Sequence, residues 1–388
     1  MTVRNRMPIL IGLCWCTLLA TKINADELPR VEPGSIGLTD EHQAEIDSAV
    51  ASGLAERRMP GCVVLIGSSK GIAFLKAYGD RQVQPERQPM TTDTVFDLAS
   101  LTKPIATATS IMQLVEQGKV ALDAPVTDYL PEFQANGKDT ITVRDLLVHQ
   151  GGLIPDNHLR DYEDGPEEAF RRINALKLSA EPKTKFMYSD VGFLVLGRIV
   201  ETVSGQSLKE YTQQHIFEPL GMTETGYLPE KPLRERAAIT QQRGGKWMQG
   251  EVHDPRAFQL GGVAGHAGLF STAEDLAKYA TAFLNDGKPV LKPKTFELMT
   301  NSYKVSRGTR GLGWDKNSPY SSNRGETMTD QAFGHGGFTG TAIWIDPGLD
   351  LYVIFLSNRV HPDGKGSVNR LAGQIGTTAA NAVHQSRK

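Results

Sequence analysis

Strand-like segments stand at the two ends of this chain, and mainly helical segments lie between them. Near the start, GCVVLIG and GIAFLKAYG are separated by Ser68-Ser69-Lys70, a spacing that predicts a β-hairpin. Near the end, TGTAIWID and LYVIFLSN flank a turn at Pro347-Gly348-Leu349-Asp350. This distribution predicts an α+β fold, in which the N- and C-terminal strands form one antiparallel sheet flanked by helices. A mainly helical subdomain is expected to be inserted at approximately residues 101–300.

Helical periodicity supports this division of the chain. Apolar residues recur at helical spacing in Ile105–Gln117, Gly192–Val203 and Ala273–Leu284. A further helix is predicted from about Thr39, which would be its N-cap, and SVNRLAGQIGTTAANAV predicts a terminal helix. No repeat or biased linker divides residues 26–388, so we expect one domain with its active site between the sheet and the inserted helices.

The first 25 residues have the features of a secretory signal peptide. Arg4 and Arg6 precede an uncharged stretch at Pro8–Ala20, which is too short to span a bilayer comfortably. Cleavage near Ala25 would release a periplasmic or secreted protein without a stable membrane span. Cys62 would then be the one remaining cysteine, and its CVVLI setting predicts a buried apolar thiol.

Charge limits the partners that this chain is expected to bind. The sequence has 42 Lys and Arg against 44 Asp and Glu. Removing residues 1–25, which contain three cations and no acid, leaves 39 against 44, or a net charge of −5. Because there is no long basic run, we expect no nucleic acid partner. A small-molecule or peptide substrate is the better expectation.

The strongest local signal for chemistry is Ser100-Leu101-Thr102-Lys103, at the start of an apolar periodic segment. If Ser100 begins a helix, the i,i+3 spacing places its hydroxyl and the Lys103 amine on one face. A lysine that burial or other cations make easier to deprotonate can take the serine proton. First-turn N–H groups can stabilise an oxyanion, and Pro104 predicts a locally irregular turn. The pattern alone is loose, because S-x-x-K is expected by chance in a chain of this length.

Further motifs make the pattern specific. Tyr188-Ser189-Asp190 precedes a helix, and FGHGGFTG at Phe333–Gly340 precedes the strand TAIWID, where an edge strand facing the cleft is expected. LLVHQGGL and EPLGMTET lie between Ser100 and this last motif. With these motifs in this order, the sequence resembles the serine β-lactamase-like family, which includes class C β-lactamases, D-Ala-D-Ala carboxypeptidases, D-aminopeptidases and related esterases. The resemblance runs from roughly Ser48 to Val383.

The resemblance implies a serine hydrolase that forms an acyl-enzyme and needs no metal or other cofactor. Ser100 corresponds to the acylated nucleophile and Lys103 to its proton acceptor. Tyr188 corresponds to the tyrosine that shuttles protons between the lysine and the leaving group. The implied substrates are cell-wall peptides, including peptidoglycan fragments.

The same resemblance assigns roles to the glycine-rich strand near the C-terminus. His335, Gly336 and Gly337 occupy the position of the family's Lys-Thr-Gly element. The backbone N–H groups of Ser100 and Phe338 would form the oxyanion hole. The two glycines make physical sense there, because side chains would block a substrate lying along the strand.

Two departures from the family pattern bear on the substrate. Asp190 stands where the family usually has asparagine, so an ionised carboxylate, which only accepts hydrogen bonds, replaces an amide. His335 replaces the lysine that β-lactamases use against the substrate carboxylate, so we expect a group that is only partly charged near neutrality. Both changes weaken the case for a dedicated β-lactamase and favour a substrate with an amide N–H, amine or hydroxyl.

A second block around Val252-His253-Asp254-Pro255 and GGVAGHAGLFSTAEDL (Gly261–Leu276) is distinctive. It resembles the cell-wall subgroup that includes penicillin-binding-type proteins and muropeptide amidases, which release a peptide from N-acetylmuramic acid. For His253, Asp254 and His266 we favour a hydrogen-bonded loop that shapes the cleft. A metal site is the alternative, but the residues lack an H-x-H or H-E-x-x-H spacing.

Several functions stay open at this point. The leading one is an exported serine hydrolase that cleaves an amide or ester of a cell-wall peptide or muropeptide. A β-lactamase or a promiscuous carboxylesterase would use the same residues. A catalytically idle binder of cell-wall peptides or penicillin, and a metallohydrolase that uses the histidines, belong to different classes. His149 is expected to be structural rather than catalytic.

Overall fold

A computed structural model describes residues 27–388 of the chain. The predicted signal peptide lies outside these residues, and the division into a signal peptide and one domain stays a prediction. Within the described part, no helix has the length and apolar character needed to cross a membrane.

Fourteen strands occur in the described residues, and nine of them form one large sheet. The strands are β1 (Gly61–Ser68), β2 (Gly71–Gln82), β3 (Gln88–Pro89), β4 (Phe96–Asp97), β5 (Gly226–Tyr227), β6 (Ile239–Arg243), β7 (Lys246–Gln249), β8 (Leu269–Ser271), β9 (Tyr303–Val305), β10 (Gly308–Arg310), β11 (Asp315–Asn317), β12 (Phe333–Gly337), β13 (Thr341–Asp346) and β14 (Leu351–Ser357). The large sheet has the order β3-β2-β1-β14-β13-β12-β11-β10-β9.

The large sheet confirms the predicted fold class. All of its strand pairs are antiparallel, and β1 from the N-terminal part pairs directly with β14 from the C-terminal part. The predicted hairpin is formed by β1 and β2, and a second hairpin is formed by β13 and β14. The two ends of the chain therefore build one sheet, as the strand-like segments predicted.

Eleven α-helices lie around and between the strands in the described residues. They are α1 (Asp40–Ala55), α2 (Thr109–Glu116), α3 (Val143–Leu147), α4 (Pro166–Asn174), α5 (Asp190–Ser204), α6 (Leu208–Thr212), α7 (Lys231–Arg236), α8 (Pro255–Gln259), α9 (Ala273–Leu284), α10 (Pro293–Thr300) and α11 (Asn369–Ser386). Thr39 caps α1 by accepting the backbone N–H of His42, which confirms its expected position.

Several strands do not match the sequence-based expectations. The segment β9–β11 extends the sheet beyond β12, so β12 is not the edge strand that was expected. Strand pairing between β12 and β11 is nevertheless limited to Gly334 and Asp315. Two small sheets, β4-β8-β5 and β6-β7, also occur in or beside the helical region. These strands are only two to five residues long, too short to show a clear alternation of apolar and polar residues.

The large sheet is covered by apolar residues on both faces. Successive residues of β1 alternate between two clusters, with Val63 and Leu65 facing the inserted helices and Cys62 and Val64 facing α1 and α11. Cys62 is fully buried, as predicted, and burial raises the pKa of its thiol. Helices on both faces fix the sheet in place, and the short helical turn at Ala99–Leu101 packs against β12.

Candidate active site

Ser100 and Lys103 lie where the predicted irregular helix begins. A short helical turn at Ala99–Leu101 leads into a wide π-type turn at Lys103–Ala108, and α2 follows. The Lys103 Nζ atom donates a hydrogen bond to Ser100 Oγ at 2.9 Å and another to the His266 carbonyl at 3.0 Å. The i,i+3 spacing thus brings the hydroxyl and the amine together.

A carboxylate determines the charge of Lys103. The Lys103 side chain is fully buried, and its Nζ lies 2.7 Å from Asp190 Oδ1. Burial lowers the pKa of Lys103, but the charge and hydrogen bond of Asp190, together with the contact to Tyr188, outweigh this effect and raise the pKa above its usual range. Lys103 is therefore an ammonium at neutral pH, which contradicts the expectation of an amine that burial makes easier to deprotonate.

The Tyr188 ring is the middle ring of a stack of three. His149 packs on one side, with ring centroids 4.4 Å apart, and Tyr320 packs at 4.7 Å with the planes within 30° in both pairs. His149 is buried and its Nδ1 accepts the backbone N–H of Ser189. Burial raises the pKa of the Tyr188 phenol, although Lys103 opposes the shift. His149, for which a structural role was predicted, thus packs directly against the Tyr188 ring.

His335 is an uncharged group on β12. It is 5 % exposed, and its Nδ1 lies 2.8 Å from the Gly336 carbonyl, which assigns the proton to Nδ1. Burial, followed by the nearby charges of Arg310 and Lys103, lowers the pKa of His335 well below its usual value. The expectation that His335 is partly charged near neutrality does not fit this environment. A neutral imidazole also cannot serve as a cation that binds a substrate carboxylate.

Close contacts with neighbouring protein atoms explain the two glycines after His335. A Cβ atom at Gly337 would lie 2.4 Å from the Leu98 carbonyl oxygen, and one at Gly336 would lie 2.3 Å from the Asn323 side-chain amide. Side chains at these positions would therefore collide with neighbouring protein atoms. This reason differs from the expected one, which was access for a substrate lying along the strand.

A cleft of about 360 Å³ lies beside the Ser100 hydroxyl and the β12 residues described above. Ser100, Tyr188, His335 and Phe338 line it, and so does the partly exposed Arg359. The Phe338 ring is 60 % exposed and contacts both the His253 ring, at 5.6 Å between centroids, and the Arg359 guanidinium, at 4.4 Å. The cleft is large enough for part of a small peptide or sugar-linked substrate.

The block around His253 divides into two sets of contacts. Asp254 Oδ1 accepts a hydrogen bond from His266 Nε2 at 3.0 Å and also caps α8. His253 Nε2 instead pairs with Gln241 Oε1 at 2.7 Å. These contacts make the block a hydrogen-bonded loop, and its role in shaping the cleft stays a prediction.

The metal alternative involves a different set of three side chains. Ligand atoms of Asp190, Asp254 and His266 all lie within 4.8 Å of one another. The Lys103 ammonium already pairs with Asp190 at this cluster. A divalent cation bound there would have to displace that ammonium, so the donor set fits the lysine better than a metal.

Sequence reasoning missed Asp97 and Tyr320. Asp97 is 3 % exposed, and its carboxylate accepts the backbone N–H groups of Ala99 and His253 at 2.8 and 2.6 Å. Burial raises the pKa of Asp97 to about 6. The available signal was its position in FDLAS, three residues before Ser100 in an otherwise apolar run. No sequence motif around Tyr320 indicates that its ring stacks against Tyr188.

A serine hydroxyl bonded to a buried lysine, beside a tyrosine and a glycine-rich strand, defines a serine hydrolase site. Residues 46–376 match the family model described as Beta-lactamase, and the chain belongs to that family. The chain is 34% identical to an N-acetylmuramyl-L-alanine amidase of Bacillus subtilis, with 78% of each chain covered. It is 32% identical to an Escherichia coli K12 protein, provisionally named a D-alanyl-D-alanine carboxypeptidase, across 89% of this chain and 88% of that one.

Solved structures share the fold. A penicillin-binding protein homologue from Caulobacter crescentus superimposes with a TM-score of 0.71 at 21% identity, covering 89% of this chain and 98% of that one. EstCE1, a hydrolase with promiscuous acyltransferase activity, gives 0.70 at 24% identity, covering 88% and 98%. Together, the family and the named relatives identify the chain as a hydrolase of the serine β-lactamase superfamily.

Proposed function

We propose that this protein is an exported serine hydrolase that forms an acyl-enzyme at Ser100 and cleaves an amide of a cell-wall muropeptide. The observation that carries the proposal is the 2.9 Å bond between Lys103 Nζ and Ser100 Oγ, made by a lysine whose charge is held by Asp190. The similarity to a named muramyl amidase supports the substrate class. The signal-like first 25 residues support a periplasmic or secreted location.

Proton transfer begins from the Lys103–Asp190 ion pair. When substrate displaces water from the cleft, Lys103 passes one proton to the Asp190 carboxylate and becomes a neutral amine. The amine then takes the Ser100 proton as Oγ bonds to the substrate carbonyl carbon. Asp190 is thus a temporary proton store, a role that asparagine cannot fill.

Collapse of the tetrahedral intermediate returns these protons. Tyr188 donates its phenolic proton to the leaving nitrogen as the carbon–nitrogen bond breaks. Lys103 then reprotonates Tyr188, and Asp190 returns its proton to Lys103. An amine leaves, Ser100 carries the acyl group, and the three other groups regain their starting protonation states. Water attacks the ester by the reverse proton route, releasing the acid and restoring Ser100.

The negative charge that develops on the carbonyl oxygen needs hydrogen-bond donors. In this proposal, the backbone N–H groups of Ser100 and Phe338 supply them, because both residues line the cleft. His335 contributes a neutral imidazole beside this position rather than a cation. An uncharged strand supports an amide or ester substrate over a β-lactam that must be held by its carboxylate.

A substrate panel with trapping of the intermediate tests the proposal. Purified full-length protein is offered a muropeptide, a D-amino-acid peptide, a p-nitrophenyl ester and nitrocefin, and quenched samples are mapped by mass spectrometry. We expect muropeptide amide cleavage with an acyl adduct on Ser100, which Ser100→Ala abolishes. Ser204→Ala, on α5 with its hydroxyl bonded to the Val200 carbonyl, is the matched control. Amide cleavage without an adduct on Ser100 would contradict the proposal.

The alternatives give different results in the same panel. A carboxylesterase would turn over the ester but not the muropeptide, whereas a β-lactamase would turn over nitrocefin efficiently. A catalytically idle binder would retain cell-wall peptides without product. A metallohydrolase would lose activity with a chelator and keep it in Ser100→Ala.

A further inference from the structure

Asp97 is a buried carboxylate that binds backbone groups from two separate segments. Its Oδ1 accepts the Ala99 N–H at 2.8 Å, and its Oδ2 accepts the His253 N–H at 2.6 Å. These partners lie 2 and 156 residues away in the chain. Asp97 therefore joins the turn that precedes Ser100 to the loop that contains His253.

The backbone next to Asp97 is also bonded to the opposite side of the cleft. The Thr339 hydroxyl donates to the Asp97 carbonyl at 2.7 Å, and the Thr341 hydroxyl donates to the Leu98 carbonyl at 3.1 Å. Ala99 directly precedes Ser100, and Thr339 directly follows Phe338. Each of the two oxyanion donors in the proposed mechanism thus has a neighbour that is bonded to Asp97.

Backbone geometry shows why these bonds are needed. Ala99 has a φ of 46°, a left-handed conformation that is sterically unfavourable for a residue other than glycine. The hydrogen bond from the Ala99 N–H to Asp97 stabilises this turn. On the other side, His253 packs its ring against Phe338. Asp97 thereby restrains Ser100 through Ala99 and Phe338 through both His253 and Thr339.

We infer that Asp97 is a positioning residue that holds the Ser100 and Phe338 N–H groups at the separation required to bind the oxyanion. The inference rests on the proposed acyl-enzyme mechanism and adds to it the element that assembles the oxyanion hole. Such donors act through preorganised geometry, and the loss of one typically costs about 10²–10³-fold in kcat. A partial displacement should cost less.

The test replaces Asp97 with its closest uncharged analogue. Asp97→Asn keeps the shape but turns an amide NH₂ donor towards one of the two backbone N–H groups. With a p-nitrophenyl ester, we expect kcat to fall roughly 10- to 100-fold and KM to change less than about twofold. The affinity for a boronic acid that mimics the tetrahedral state should fall by the same factor as kcat/KM.

Asp275→Asn is the matched control for a merely structural effect. Asp275 is also a buried carboxylate, 2 % exposed, and it accepts the Glu224 N–H at 2.8 Å and the Thr225 hydroxyl at 2.9 Å. Asp275 lies in the first turn of α9, and neither it nor these two partners line the cleft. We expect Asp275→Asn to lower the melting temperature and leave kcat unchanged.

A second variant covers the case in which Asp97→Asn does not fold. Thr339→Val removes only the hydroxyl that donates to the Asp97 carbonyl. We expect a loss of about three- to tenfold in kcat and in boronate affinity, with KM retained. Wild-type kcat in both variants, or equal losses in substrate and boronate binding, would overturn the inference.

Because the assay uses a p-nitrophenyl ester, the role of Asp97 is tested independently of the proposed muropeptide substrate. A wild-type enzyme that acylates Ser100 with the ester but leaves muropeptides intact would refute the proposed substrate and leave the Asp97 test valid. A wild-type enzyme that forms no ester adduct on Ser100 would overturn both proposals.

Discussion

The two walls of the cleft differ in charge. On the helical wall, the buried Lys103 ammonium contacts Ser100 and pairs with Asp190. On the strand wall, β12 presents a neutral imidazole at His335, followed by two glycines that pack against other parts of the protein. The helical wall therefore carries an ion pair beside the nucleophile, whereas β12 offers mainly backbone groups.

This difference separates catalysis from substrate selection. A cation on the strand would favour substrates that carry a carboxylate next to the scissile bond. A neutral strand leaves the choice to shape and backbone hydrogen bonds, which suits an amide linked to a bulky group. The helical wall uses the same proton transfer between Lys103 and Asp190 whatever substrate is bound.

Disabling the helical wall should have the largest effect. Ser100→Ala removes the nucleophile, and Lys103→Ala removes the group that takes its proton. We expect each change to lower kcat on the order of 10³-fold or more, because the two residues act as one unit. Steady-state rates on the ester and the muropeptide measure the loss. Normal rates in Ser100→Ala would show that the nucleophile lies elsewhere.

The strand wall should make the enzyme a poor β-lactamase. Because His335 is neutral, β12 itself offers no cation to the carboxylate of nitrocefin, and Arg359 is the partly exposed cation that lines the same cleft. We therefore expect kcat/KM roughly 100-fold below that of the best amide or ester. His335→Lys should raise nitrocefin turnover selectively. Efficient nitrocefin hydrolysis by the wild type would show that another group binds the carboxylate.

Removing the exposed ring of Tyr320, which packs against Tyr188, should lower kcat moderately. Tyr320→Ala removes the aromatic contact on one side of Tyr188, and we expect kcat to fall about three- to tenfold. Tyr320→Phe keeps the stacked ring and should be close to wild type. Equal losses in the two variants would mean that the Tyr320 hydroxyl, rather than ring packing, is important.

The smallest expected effect is the change in kcat with pH that follows from the protonation of Asp97. Burial raises the pKa of Asp97 to about 6, although the hydrogen bonds from the His253 and Ala99 N–H groups oppose this shift. Protonated Asp97 loses one good acceptor for its backbone partners, so kcat should rise with pH through about 6 and then level off. Asp97→Asn should remove this step, whereas His335→Asn should retain it, because the His335 pKa lies well below 6.5.

The parts of the molecule that could be predicted from sequence are those set by local periodicity. Helices α1, α5 and α9 and the hairpin of β1 and β2 follow long, regular patterns. The contact between Ser100 and Lys103 follows from their spacing on one helical face. Short strands such as β9 carry too few residues to show a pattern.

Long-range contacts account for what could not be predicted. Asp190 was expected to differ from asparagine only as an acceptor, but folding places it 2.7 Å from Lys103 and reverses the expected pKa shift. The environment of His335 likewise depends on Arg310, 25 residues earlier in the sequence. Asp97 acquires its role from His253, which is 156 residues away. None of these long-range contacts leaves a recognisable pattern in the neighbouring sequence.

The most direct test of the account is the pH dependence of Ser100 acylation in the wild type and in Asp190→Asn. The variant removes the charge that contributes most to raising the Lys103 pKa, so this pKa should fall below its wild-type value. We expect Asp190→Asn to acylate about 10- to 100-fold more slowly at pH 7, because the proton store is lost. Its rate should then rise with pH as Lys103 deprotonates, while the wild-type rate stays level above pH 7. Equal acylation rates and identical pH profiles in the two proteins would contradict the central role of the Lys103–Asp190 pair.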